Sequence, residues 1–201
     1  MTRTRVHHGR GVDVSAEPAG ALVESLLRIP MSYEDYQALP EHPRAEWVDG
    51  LVVMSPAGPR RSHQRAARRV ANLLELALPG CCVDEAVSIA LPRNRERLPD
   101  VAVFDHEPPD DVPIRQTPVL VVEVLSPSTA SEDLLRKGPE YAEAGIGQFW
   151  VVNIDARTVE VQANVDGWWE SLVVIDAAHP AADVQVGDHG VVSVDLAAVL
   201  H

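Results

Sequence analysis

Two carboxylates stand where carboxylates are costly. Asp100 opens the segment Pro99-Asp-Val-Ala-Val103, and Glu123 lies inside the apolar run Val119-Leu-Val-Val-Glu-Val-Leu125. A carboxylate among apolar neighbours needs an ion pair, hydrogen bonds or a metal to offset its lost hydration. Hard divalent cations such as Mg2+ take oxygen ligands of this kind, commonly one or two protein carboxylates with waters and phosphate oxygens completing the shell. An ion held there would polarise a phosphodiester and make a bound water more acidic. The same residues also have a structural reading. Pro-Asp is common turn chemistry, and a glutamate in a strand can simply pair with an arginine. Nucleophilic catalysis is not indicated: Ser126 and Thr129 lie in turn and N-cap sequence, with no Gly-x-Ser-x-Gly and no partner histidine.

The elements that must position these residues are legible to different degrees. Residues 1–30 show no clean period and read as a flexible tail with a short helical stretch at 22–28. Ser32 followed by Asp35 is a capping-box-like start for a helix over 33–39, closed by Pro40. Residues 46–54 read as a hairpin turning at Asp49-Gly50, a type I′ signal. Val70, Leu73, Leu74 and Ala77 recur at i, i+3, i+4 and i+7, so 60–78 is an amphipathic helix ended by Pro79-Gly80. Strands are expected over 82–91 and 99–104, separated by a basic loop at 93–97. A polar, proline-rich link over 105–118 leads to the central buried strand 119–125. A helix over 132–144 follows and Gly145 closes it. Within that helix Gly138-Pro139 should cause a kink or restart, because a proline ring clashes with the carbonyl four residues back, here Leu135. Strands at 147–154, 159–165 and 168–175 form a meander, and 194–200 is a short helical turn or a last strand. The order predicts an α/β (α+β) fold: a mixed central sheet flanked by helices, with a C-terminal β-meander, in one domain over 31–201.

Composition narrows the partners. The formal net charge is −13, from 17 basic and 30 acidic residues. That balance argues against a broad nucleic-acid-binding surface while permitting a local basic patch. Arg61, Arg65 and Arg68 share one helix face by i, i+4 and i+7 spacing, which suits either DNA phosphates or a solvated face. Lys137 is the only lysine of the chain. Cys81 and Cys82 are adjacent and read as reduced thiols, since no zinc-ligand spacing is present. No apolar run is long enough for a bilayer and the first residues have no signal-peptide core, so a soluble cytoplasmic protein without a membrane partner is expected.

The order of the motifs is similar to that of a known family. It comprises Pro99-Asp100-Val-Ala-Val, Val122-Glu123-Val-Leu-Ser126-Pro-Ser-Thr129, Asp133-x-x-x-Lys137-x-x-x-Tyr141 and Ala144-Gly145-x-x-x-Phe149-Trp150-Val-Val. With Glu46 ahead of Asp49-Gly50 and His63 opening the next helix, this set resembles the putative restriction endonuclease family, the Uma-two endonucleases of the PD-(D/E)XK nuclease superfamily. The resemblance covers residues 31–165. It implies a restriction-endonuclease-like fold and Mg2+ or Mn2+ as cofactor. It also implies hydrolysis of DNA phosphodiester bonds, with a homodimer as the usual assembly for cutting both strands. By the same resemblance Asp100 and Glu123 are metal ligands, Glu46 is a further acidic ligand from the hairpin, and Lys137 completes the catalytic set. The superfamily's lysine normally stands two residues after the second acid, where this chain has Leu125; Lys137 on the following helix takes its place. A protonated amine there would orient the attacking water or neutralise the phosphate. His63 is a lesser candidate, near the metal or with Arg61, Arg65 and Arg68 on DNA. Gly138-Pro139 and the acidic charge keep an alternative open: a catalytically weak or inactive nuclease-fold module for nucleic-acid binding or self-association.

Overall fold

Valine-rich runs build two main sheets in the chain, whose computed structural model describes residues 26–39, 45–55, 58–126 and 130–201. The first sheet grows from Asp49-Gly50. Both residues take left-handed φ, 52° and 85°, as a type I′ turn requires, and join β2 (Ala45–Val48) to β3 (Leu51–Met54). Strand β1 (Leu27–Pro30) pairs antiparallel along β3. Leu27 and Arg28 are therefore strand rather than the end of a helical stretch, because pairing with an open strand edge outweighs weak local helix preference; the rest of that stretch, 22–25, lies outside the described residues. Helix α1 (Tyr33–Gln37) starts at Ser32, whose Oγ accepts the Asp35 N–H at 3.1 Å. Its expected stop, Pro40, lies outside the described residues.

The segment expected as one strand over 82–91 divides between the sheets. Strand β4 (Cys82–Glu85) pairs with β7 (Val101–Phe104), whereas β5 (Ile89–Leu91) pairs with β6 (Arg95–Arg97). The break falls at Ala86, held at φ 55° with its N–H on the Asp100 carbonyl at 3.1 Å. The expected basic loop is correspondingly short. Arg93 and Asn94, both at left-handed φ, make the turn, and Arg95–Arg97 is strand. The order in the first sheet is β1-β3-β2-β6-β5.

The second sheet adds β8 (Leu120–Leu125), β9 (Gln148–Asn153), β10 (Thr158–Val165) and β11 (Trp168–Ile175), in the order β11-β10-β9-β8-β7-β4. Strands β8 and β9 run parallel while the other neighbours are antiparallel, which makes the sheet mixed and requires a crossover. The crossover consists of α3 (Ala130–Glu132), a π-helical turn (Asp133–Lys137) and α4 (Gly138–Glu143). Helix α2 (Arg61–Ala77) covers one face, packing Ala66, Val70 and Leu74 toward Val101, Val122 and Trp150. The crossover covers the other face, with Tyr141 and Ile146 against Val121 and Phe149. Each such Val or Leu contributes roughly 1.5–3 kcal/mol on burial. The hairpin of β12 (Ala181–Val186) and β13 (Gly190–Asp195) closes the α2 side with Val184, Val192 and Val194. This hairpin lies outside the elements expected from the sequence. Helix α5 (Leu196–Leu200) follows, capped by Asp195, so 194–200 holds both a strand end and a helix. The architecture is the expected mixed α+β fold with a meander in β9, β10 and β11. No described helix is long and apolar enough to cross a membrane.

Gly138-Pro139 is absorbed without ending the helix. The Gly138 N–H reaches the Asp133 carbonyl, five residues back, so the chain widens into the π-helical turn before α4 resumes α geometry. Pro139 then lies in the first turn of α4, where its missing N–H costs little. Trp169 Nε1 donates to the Gly138 carbonyl at 2.7 Å and ties the junction to β11.

Candidate active site

Strands β7 and β8 pair Val101 with Val122. Carried one step further, the same antiparallel register sets Asp100 opposite Glu123, as cross-strand neighbours. Asp100 is tethered at that strand end: its Oδ2 accepts the Val124 N–H at 2.8 Å. The first turn of α2 brings His63 Nε2 to 3.1 Å from the same oxygen. His63 is 8% exposed, and its Nδ1 has no hydrogen-bond partner.

Glu123 lies deeper, 2% exposed. Its Oε1 accepts Tyr141 Oη–H at 2.7 Å and Lys137 Nζ–H at 3.1 Å. The Lys137 ammonium is ringed by carboxylates, at 3.0 Å from Glu46 Oε1, 3.1 Å from Glu123 Oε1 and 3.1 Å from Asp133 Oδ1. Burial alone would push Lys137 toward its neutral form, but Glu123, Glu46 and Asp133 outweigh it and hold the amine protonated well above its ordinary range. For Glu123 the balance differs. Burial raises its carboxyl above the usual range; Lys137 opposes the shift, and the charges of Asp133, Asp100 and Glu46 add to it. Burial and the Glu123 charge likewise raise Tyr141, which stays a hydrogen-bond donor.

Glu46, on β2, joins this group to a second one. Its Oε1 accepts the Leu98 N–H at 3.0 Å and its Oε2 accepts Arg97 Nη1 at 2.8 Å. Burial pushes Glu46 upward, yet Lys137 and Arg97 together hold it below the ordinary glutamate value. Arg97 is fully buried and grips Glu140 through two bonds, Nε to Oε2 at 2.6 Å and Nη2 to Oε1 at 2.9 Å. Its Nη1 also reaches Glu132 at 3.0 Å. These carboxylates outweigh the burial that would favour neutral guanidine, so Arg97 is held charged.

The four acid and lysine positions singled out in the sequence, Glu46, Asp100, Glu123 and Lys137, thus lie in one buried neighbourhood. The π-helical turn keeps Lys137 pointing into it. Arg97, Glu132 and Glu140 are not among the residues singled out in the sequence, and Asp133 appears there only as a motif position without a role. One signal was available: Asp133, Lys137, Glu140 and Tyr141 fall on one face at helical spacing. Tyr141, in the sequence only a position of the motif, bonds directly to Glu123. His63 turns inward to Asp100, away from Arg61 and Arg65, which are exposed on α2. Arg68 faces Glu85 at 3.9 Å. Ser126 ends the described part of the turn, and Thr129 lies outside the described residues. Among the described residues no cluster of three or more His, Cys, Asp or Glu side chains is arranged to hold a metal ion.

Comparison with known proteins agrees with the motif order. The Uma2 family, described as "Putative restriction endonuclease", matches residues 33–198. No curated protein matches the chain. Among solved structures the fold is similar to the crystal structure of a putative nuclease belonging to DUF820 from Anabaena variabilis. The TM-score is 0.68 at 17% identity, covering 85% of this chain and 98% of that one. At that identity the likeness speaks to the fold, and the family match supports a nuclease function. The span of the match, over the same strands and helices that gather Glu46, Asp100, Glu123 and Lys137, makes this chain a member of the Uma2 family.

Proposed function

We propose that this protein is a Mg2+- or Mn2+-dependent endonuclease that hydrolyses DNA phosphodiester bonds. The observation that carries the reading is the cross-strand placement of Asp100 and Glu123 with Lys137 Nζ 3.1 Å from Glu123. The donors are hard carboxylate oxygens, which suit Mg2+ or Mn2+ better than a soft metal. Asp100 and Glu123 would be the ligands, with Glu46 joining once its Oε1 exchanges Lys137 for the ion. A divalent cation there would neutralise charge on the scissile phosphate and acidify the attacking water. Lys137 donates a hydrogen bond to that water or to a phosphate oxygen, His63 orients Asp100, and Tyr141 orients Glu123. A single domain over 31–201, a homodimer and a cytoplasmic location belong to the same reading.

The test is nicking of supercoiled plasmid in Mn2+ and in chelator, by wild type and by Asp100→Ala. Cutting only by the wild type, and only with metal, is expected. Equal cutting by both proteins, or none by either, sinks the proposal. Metal binding carries a pH signature. A protonated Glu123 does not ligate a cation, and its carboxyl is raised in the metal-free protein. Mn2+ binding should therefore release a proton and strengthen as pH rises toward the raised value, by up to about tenfold per pH unit, and level off above it. Calorimetric titration in buffers of differing ionisation enthalpy measures the release; an affinity flat in pH would contradict it.

A second reading has its own support. The Lys137 ammonium already sits among Glu46, Glu123 and Asp133 where a cation would otherwise go, as suits a nucleic-acid-binding or self-associating module without turnover. Duplex binding that persists without any metal-dependent nicking would favour it.

A further inference from the structure

We propose that the outer face of α2, through Arg61, Arg65 and Arg69 with Arg157 beside them, is a docking track for the phosphate backbone of duplex DNA next to the cleavage centre. The nature of this ligand rests on the nuclease reading above; the track itself rests on charge and geometry. The chain carries a net charge of −13, and half of its described arginines are paired with carboxylates. Arg28 pairs with Glu132, Arg68 with Glu85, Arg93 with Glu143, Arg95 with Asp49, Arg97 with Glu140 and Arg136 with Glu132. Arg61, Arg65, Arg69 and Arg157 have no carboxylate side chain within ion-pair distance among the described residues, despite the acidic excess.

These four gather in one place. Arg61, Arg65 and Arg69 line a pocket of about 390 Å3 whose floor includes Ala66 and Ile154. Arg69 donates to the main-chain oxygen of His201, another lining residue, and Arg157 Nη2 lies 2.8 Å from His201 Nε2. Such an arrangement costs the free protein stability. Like charges four residues apart on a helix repel by a few tenths of a kcal/mol. Cations in the first turn also oppose the helix dipole. Helix α2 has no acidic residue in its first turn, and Arg60 at its N-cap makes no side-chain capping bond. An anion resolves both conflicts, and a series of anions at regular spacing matches a series of arginines.

Position links the track to the centre. The first turn of α2 that carries Arg61 also carries His63, whose Nε2 is 3.1 Å from Asp100. From Arg61 to Arg69 the helix rises ~12 Å, about the rise of three to four phosphates along one strand. A backbone laid on this face therefore runs away from the Asp100 end, with guanidinium forks suited to phosphate oxygens.

Binding can be separated from cutting. Anisotropy of a labelled duplex is measured in chelator across a salt series, for wild type, the triple variant Arg61→Gln/Arg65→Gln/Arg157→Gln and Arg115→Gln. Arg115 is exposed, has no carboxylate partner among the described residues and lies outside the pocket, so it shows what the loss of one exposed arginine outside the track does. The triple variant should weaken binding at least tenfold at low salt and flatten the salt slope by about 2–3, near 0.9 per lost phosphate contact. Arg115→Gln should keep the wild-type slope to within about one. The proposed track is wrong if the triple variant retains wild-type affinity and slope, if wild type binds no duplex, or if poly-glutamate displaces the duplex at equal charge concentration, which would mark an acidic protein partner. Wild-type nicking with an unchanged triple-variant slope would remove the track and leave the nuclease. An arginine-dependent slope without nicking would do the reverse.

Discussion

Asp100→Ala is expected to reduce Mn2+-dependent plasmid nicking to background, and Lys137→Ala to slow it by about 10²–10³-fold while tightening Mn2+ binding. The two losses have different physical origins. Asp100 supplies a carboxylate at the strand end, fixed by the Val124 N–H and His63; without it the ion loses a ligand and its position. Lys137 supplies a charged donor, and such groups act only where they are aimed. Its removal also strips the counter-charge from Glu46, Glu123 and Asp133, each within 3.1 Å of Nζ. Buried carboxylates without a partner repel one another and destabilise the metal-free protein. A dication relieves that repulsion, so the Lys137→Ala variant should show the larger rise in melting temperature on adding Mn2+. Wild-type cutting by Lys137→Ala would reduce the lysine to a structural counter-ion. Loss of both rate and Mn2+ affinity would mean that the amine organises the ligands instead of competing with the ion.

Arg97→Met is expected to lower stability by about 3–5 kcal/mol, a fall in melting temperature of roughly 6–20 °C for a chain of this size. The guanidinium has no exposed surface and holds Glu46, Glu132 and Glu140 together. Methionine fills similar space but takes from Glu140 its two-bond partner and from Glu46 and Glu132 one of their cations, leaving Lys137 beside Glu46 and Arg28 beside Glu132. Arg97→Lys should rescue little, because an ammonium cannot grip Glu140 with two parallel bonds and reach Glu46 and Glu132 as well. The damage should also reach the centre through Glu46, which lies between Arg97 and Lys137. Melting followed by circular dichroism measures the loss. A variant as stable as wild type would show that the network contributes no net stability, as some buried ion pairs do not.

The sequence by itself determined what depends on short-range chemistry. Asp49-Gly50 adopts left-handed φ because few residue pairs tolerate it, so the hairpin carrying Glu46 was legible. The apolar period of α2 and the continuous run around Glu123 specified a covering helix and a central strand. The order of the motifs was enough to single out Glu46, Asp100, Glu123 and Lys137. The tertiary structure decided what depends on distant partners. Arg97 sits in a polar, basic stretch that reads as loop, and its burial follows from acids 35, 43 and 51 positions away in sequence. The break at Ala86 reflects the two sheets competing for one segment. His63 turned inward because Asp100 lay within reach, leaving the exposed arginines of α2 as a separate face. Val184, Val186, Val192 and Val194 alternate as strand residues do, but only the open side of α2 gave that short hairpin a surface to bury. Lys137, whose Gly-Pro neighbour predicted a kink, reaches the carboxylates because the π-helical turn spreads five residues where an α-turn would have clashed. Local rules thus marked Asp100 and Glu123, the family resemblance added Glu46 and Lys137, and long-range charge and packing chose their geometry.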